Sequence, residues 1–208
     1  MTIVSPCDDG YPERLALLDA PPLLYASEPL AIGSDSCVLF SGTRRPDHQA
    51  FHDAWVWSLR FARLGWRVVT SGEGGCDLAV RRALAGAGFK PIVAVAGGLP
   101  ATWDGTTVLV SPFPEGTVRS RESLLGRNLF SASLCQLTII VQAPLRSGSL
   151  LVARDALDSG GDVLLLPCAV GNGAQHAGGN RLREEGAPIL RRCVDKTSFV
   201  VDSAYGCD

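Results

Sequence analysis

Short apolar runs alternate along this chain with longer stretches in which apolar residues recur every three or four positions. Cys37 to Phe40, Trp66 to Thr70, Pro91 to Ala96, Thr107 to Val110, Leu137 to Val141 and Val163 to Leu166 are near-continuously apolar and short, the pattern of strands buried on both faces. Between them the spacing predicts helices capped by Asp47 and reaching about Leu64, from Asp77 to Ala87, from Ser120 to Leu134, and from the Arg146–Ser149 loop through Asp158. In the first of these helices Phe51, Trp55, Leu59 and Ala62 lie near one face and are expected to meet the core. Ahead of them, Tyr11 to Leu18 has helical spacing closed by Pro21-Pro22, and Leu23 to Ala26 reads as a strand. Such alternation predicts a three-layer, Rossmann-like α/β domain whose mainly parallel sheet is covered by helices on both faces. With no repeat, low-complexity tract or linker, one domain is expected over residues 1–208, with an N-terminal segment 1–35 and a C-terminal extension 189–208.

Composition narrows the class. Hydrophobic residues make up 46% and charged residues 19%, enough apolar material for a packed core. The first residues lack a basic stretch before an apolar run, and no segment approaches the roughly 18–20 apolar residues of a membrane span, so a cytoplasmic protein with no membrane contact is expected. The seven cysteines are scattered with no C-x-x-C pair, which favours reduced thiols used as small core residues. Net charge is −2, so the chain lacks the overall basic character of many nucleic-acid binders. Lysine occurs only at Lys90 and Lys196, however, and every other basic side chain is arginine, whose planar fork of donors suits phosphate.

In an open α/β sheet ligands bind beyond the carboxyl ends of the strands, where helix N-termini present unpaired N–H groups. Four strand ends here carry small-residue turns: Gly42-Thr43-Arg44, Ser71 to Gly75, Gly97-Gly98, and Ser147-Gly148-Ser149. Arg44, Arg45, Arg119, Arg121, Arg127 and Arg146 lie in or beside these turns, and together they suggest a phosphate-binding rim. No dinucleotide fingerprint or P-loop occurs, so no cofactor is expected. His48 and His52 share a helix face but lack a third ligand, so no metal is expected either. Ser147 and Ser149 have no histidine at a useful spacing for a nucleophilic serine. Glu73 and Asp77 could form a general acid/base pair, and Asp77 could equally cap the helix it opens.

Read together, these motifs resemble the DprA/Smf family. Tyr11-Pro12-x-x-Leu15 and Pro21-Pro22-x-x-x-Tyr25 are similar to that family's opening segment. Gly42-Thr43-Arg44-Arg45-Pro46 resembles its first strand-end motif, and Ser71-Gly72-x-Gly74-Gly75-x-Asp77 its glycine-rich loop. Pro112-x-Pro114-x-Gly116-Thr117, Arg127-Asn128 and the stretch Gln142 to Leu150 continue the likeness, which runs from about Tyr11 to Pro188. The resemblance implies a cytoplasmic homodimer that binds single-stranded DNA and loads the RecA recombinase during DNA uptake, without catalysis. It places the phosphate backbone on Gly42, Thr43, Arg44, Arg45, Ser71, Gly72, Gly74, Gly75, Gly97, Gly98, Arg127, Asn128, Arg146, Ser147, Gly148 and Ser149, with Trp103 and Phe113 as the nearest loop aromatics. Leu129 stands where the family usually has a second arginine, and no winged-helix domain is expected after Ala187. The alternative is a nucleotide sensor or a nucleoside-monophosphate glycosidase on a related fold, using Glu73 and Asp77.

Overall fold

Each short apolar run becomes a buried strand because its neighbours are equally apolar on both faces. The computed structural model describes residues 1–30, 32–193, 195 and 198–202. In chain order the elements are β1 (Thr2–Val4), α1 (Glu13–Ala16), β2 (Leu24–Ala26), β3 (Cys37–Ser41), α2 (His48–Arg63), β4 (Arg67–Thr70), α3 (Gly75–Gly86), β5 (Ile92–Ala94) and β6 (Val108–Ser111). Then come α4 (Arg121–Leu134), β7 (Leu137–Ile140), α5 (Gly148–Asp158), β8 (Asp162–Leu165), α6 (Ala177–Glu184), β9 (Ile189–Cys193) and β10 (Phe199–Asp202). They form one sheet of order β1-β2-β6-β5-β4-β3-β7-β8-β9-β10. Pairing is parallel from β6 through to β9 and antiparallel at the two flanks. The Rossmann-like expectation is met.

Side chains on β3 alternate as a buried parallel strand requires. Val38 and Phe40 enter the core beneath α2 and α3, whereas Cys37 and Leu39 join Leu15, Phe130 and Leu134 on the other face. Since β3 pairs with β4 on one side and β7 on the other, the chain reverses its direction of winding there. That reversal opens a crevice at the carboxyl ends of β3 and β7, between helices lying on opposite faces.

Asp47 caps α2 as expected, accepting from Ala50 N–H at 2.8 Å. The buried Gln142 fixes this cap from the end of β7: its Oε1 accepts from Asp47 N–H at 3.1 Å and its Nε2 donates to Asp47 Oδ2 at 2.6 Å. The expected face of α2 is met in part, Leu59 and Ala62 packing against the core. Phe51 and Trp55 point outward, while Ala50, Ala54, Trp57, Ser58 and Phe61 are buried. Small residues on the inner stripe let α2 lie close to α3 and the sheet, leaving no room there for Phe51 or Trp55.

Other elements also depart from expectation. The first helix is limited to Glu13–Ala16, and β1, α6, β9 and β10 were not anticipated. The segment after residue 188 adds two strands, and Phe199 stacks on Phe61 at 5.9 Å between ring centroids. Cys37, Cys76, Cys135 and Cys168 are buried, as small core residues would be, and burial pushes the Cys76 and Cys168 thiols well up. Among the described residues, no helix is long and apolar enough to cross a membrane.

Two contacts hold the helices that flank the crevice. Ser120 and Ser123 close a capping box on α4, with Ser120 Oγ accepting from Ser123 N–H at 3.2 Å and Ser123 Oγ accepting from Ser120 N–H at 2.8 Å. Ser120→Ala should therefore cost about 1 kcal/mol, read as a lower urea midpoint at unchanged m-value, and an unshifted midpoint would show the box to be inert. At the far ends, Arg14 donates through Nε to Ser133 carbonyl oxygen at 3.2 Å and through Nη2 to Ser159 carbonyl oxygen at 2.8 Å. One cation thus serves the C-terminal carbonyls of α4 and α5 together.

Candidate functional site

The crevice is a cleft of about 400 Å³ bounded by the turns after β3 and β4, the inner side of α4 and the first turn of α5. Gly42, Thr43 and Arg44 form one lip, and Ser71, Glu73 and Gly74 form the next. Arg127 and Asn128 come from α4, and Ser147, Gly148 and Ser149 from the start of α5. Ser147 caps α5 by accepting from Ser149 N–H at 3.1 Å, and Ser41 Oγ donates to Ser149 Oγ at 3.2 Å across the floor.

Asp77 does not cap its own helix, whose N-cap is Gly74. It lies in the first turn of α3 and reaches back to tie two strand ends together. Gly42 N–H donates to Oδ1 at 3.2 Å, Ser71 N–H donates to Oδ2 at 3.3 Å, and Ser71 Oγ donates to the same oxygen. Burial pushes the Asp77 carboxyl up to about 6, with the Ser71 hydrogen bond and the Arg127 charge pulling the other way.

Glu73 is the electrostatic centre of the cleft. Arg44 Nη2 lies 2.9 Å and Arg119 Nη2 2.7 Å from its Oε2, and Arg127 Nη1 lies 3.5 Å from its Oε1. Arg127 is buried, also donating to Ala94 carbonyl oxygen at 3.4 Å and through Nε to Asn128 Oδ1 at 3.0 Å. Burial lowers its pKa while the Glu73 and Asp77 charges raise it. Arg44 and Arg119 keep 66% and 51% of their side chains in solvent. In an acidic chain, this point gathers positive charge.

Several expected residues serve packing instead of lining the cleft. Gly75 has φ +56°, and a Cβ there would sit 2.1 Å from Thr43 carbonyl oxygen, so it lets α3 abut the turn after β3. Gly72 backs onto Val93. Gly97 and Gly98 press against the backbone between Pro114 and Arg119, and Gly98 N–H donates to Thr117 carbonyl oxygen at 2.9 Å, which sets where Arg119 enters. Arg45 and Arg146 are exposed beside the cleft without lining it. Trp103 and Phe113 do not line it either, and Phe113 packs beneath Gly126. The turns converge, but on a compact pocket and not on a long track.

Sequence reasoning named Arg119 and Arg121 among the neighbouring arginines without assigning them to the site; Arg119 reaches Glu73 and Arg121 lines the cleft. It missed the apolar wall of Leu124, Leu125, Leu151 and Val152. Leu125 and Leu151, 44% and 43% exposed, break the polar outer pattern of their helices, a signal that was legible. Three guanidiniums thus gather around the Glu73 carboxylate, with the first turn of α5 and an aliphatic wall beside them.

Comparison with known proteins follows the same line. The family profile of DNA recombination-mediator protein A matches residues 2–200. The DNA processing protein DprA of Streptococcus pneumoniae is 27% identical over 196 residues, covering 88% of this chain and 68% of that protein. Its X-ray structure superposes with a TM-score of 0.77 at 26% identity, covering 89% of this chain and 69% of that one. A DprA-type DNA processing protein of Mycobacterium tuberculosis is 29% identical over 170 residues, 76% of this chain and 43% of that protein. The Helicobacter pylori DNA processing protein A, whose structure was described for its single-stranded DNA binding mode, matches with a TM-score of 0.74 at 24% identity, covering 85% and 86% of the two chains.

Proposed function

The chain belongs to the DNA recombination-mediator protein A family, and from that premise we propose that it binds single-stranded DNA, without catalysis, in the cleft at the winding reversal of its sheet. The observation that carries this reading is the meeting of Arg44, Arg119 and Arg127 at one point beyond the strand ends. Gly42, Thr43, Ser71, Gly74, Asn128, Ser147, Gly148 and Ser149 supply the surrounding backbone and polar contacts. Arg45 and Arg146 serve a strand leaving the cleft. In this reading the protein acts in the cytoplasm as a homodimer and passes the strand to RecA.

The test is a titration of a fluorescent oligothymidylate at several salt concentrations. Binding should weaken steeply with salt, log K falling with a slope of about −0.7 per phosphate neutralised. Arg44→Ala should weaken binding and flatten that slope by about 0.7, whereas salt-insensitive binding, or none, would remove the proposal. A second reading, a sensor or hydrolase of nucleoside monophosphates, draws on the raised Asp77 carboxyl inside a cleft of single-nucleotide size. It requires release of free base that Asp77→Asn abolishes. Glu73, its other carboxylate, is held by three arginines, which favours binding over proton transfer.

A further inference from the structure

Resting on the single-stranded DNA reading, we propose that the cleft takes a terminal phosphate monoester, the phosphorylated end of a strand, in preference to internal phosphodiesters. The Glu73 carboxylate shows where an anion is held. Two guanidinium nitrogens converge on its Oε2 at 2.7 and 2.9 Å, and a third lies 3.5 Å from its Oε1. A backbone running across the surface would be met by cations spread along it, since its charges are separated by a whole nucleotide. Here they meet at a point.

The chemistry of the two phosphate types separates them. A phosphodiester has two non-bridging oxygens and one negative charge. A monoester has three terminal oxygens and a charge of about −1.5 to −2 at neutral pH. Three guanidiniums match three oxygens, and the larger charge gains more from a partly buried cluster whose Arg127 is shielded from water.

Shape agrees with charge. Phe40, Ser41 and Val152 line the cleft, and its volume of about 400 Å³ has room for one nucleotide. Leu125 and Leu151 give the sugar or base of that last nucleotide an aliphatic face. Entry of the phosphate displaces the Glu73 carboxylate, so Glu73 holds the arginines together until the ligand arrives. On one side of Glu73 the turn is packed, Gly72 lying against Val93, and on the other it is open, with nothing near the Gly74 Cβ position.

The experiment compares one oligothymidylate carrying a 5′-phosphate, a 3′-phosphate or only hydroxyl ends, with thymidine monophosphate as a competitor. Because Arg127 is buried, the variants are Arg44→Ala and Arg119→Ala, both at solvent-exposed side chains. One phosphorylated end should bind about tenfold more tightly than the hydroxyl strand, thymidine monophosphate should compete, and each variant should erase the preference. Which end is favoured assigns the polarity. Equal, salt-sensitive binding of all three strands overturns the end-recognition proposal and leaves strand binding intact. Binding of thymidine monophosphate but of no strand upholds the monoester site and overturns the DNA reading. Binding of neither overturns both.

Discussion

Gly75→Ala should destabilise the protein by roughly 3 kcal/mol, lowering its melting temperature by about 6–12 °C. Two costs add at this position. The backbone holds φ at +56°, where a side chain is strained, and the new Cβ would fall 2.1 Å from Thr43 carbonyl oxygen and 2.6 Å from Arg44 Cα. Both obstacles are backbone, so no rotamer change relieves them. Relief requires α3 to pull away from the turn after β3, breaking the bond from Cys76 N–H to Thr43 carbonyl oxygen at 3.1 Å. Because the same turn carries Arg44, oligonucleotide affinity should fall with stability. The neighbouring Gly74 is the control: its φ of 177° is ordinary extended backbone and its Cβ position is open, so Gly74→Ala should melt near the parent temperature. Equal melting of the two variants would mean that the contact between α3 and the β3 turn carries no tension.

The stability difference between the parent and Asp77→Asn should change by on the order of 3 kcal/mol between about pH 4 and pH 6. Burial raises the folded-state Asp77 carboxyl from 3.8 to about 6, so the folded chain keeps a proton there that the unfolded chain releases. Stability from this group is therefore complete below about pH 4 and is lost as pH rises through about 6. Asparagine has no such proton, and subtracting its melting curve removes the titration of every other group. The parent's advantage should shrink by about 6–12 °C over that interval and then stay level. A difference that does not vary with pH would show that Asp77 is ionised throughout, with Ser71 and Gly42 N–H outweighing its burial.

Much of the sheet could be read from residue order because buried parallel strands have a simple signature. Cys37 to Phe40 is apolar without interruption and Leu137 to Val141 is broken only by Thr138, and both form central strands beside the cleft. Flank strands lack that signature. β1 is three residues long and β10 is largely exposed, so neither carries a distinctive pattern. On α2 only half of the expected face meets the core, Leu59 and Ala62 but not Phe51 and Trp55, because the inner stripe runs instead through Ala50, Ala54, Trp57 and Phe61.

At the site, strand-end turns were visible as glycine and serine clusters, yet a glycine in sequence does not reveal what approaches it. Gly74 borders open space, whereas a Cβ on Gly42 would meet the Cys76 side chain at 2.6 Å, and Gly75, Gly97 and Gly98 border the protein's own backbone. The role of Asp77 was equally hidden. Its place in the first turn of α3 suggested a cap, and only the folded chain brings Gly42 and Ser71 to its oxygens. Arg44, Arg119 and Arg127 lie 29, 46 and 54 positions from Glu73 along the chain and meet it only through tertiary structure.

The bonds from Arg14 to the carbonyls of Ser133 and Ser159 carry a mechanical consequence. The two helices that frame the pocket are fastened to each other at their trailing ends, so any change in their spacing must pivot on that clasp or break it. The same two helices approach again at the pocket, where a Gly148 Cβ would lie 4.0 Å from Asn128 Nδ2. The short N-terminal helix therefore belongs to the pocket's frame, joining both helices through Arg14 and sharing a core cluster with the lining residues Leu39 and Val152 through Leu15.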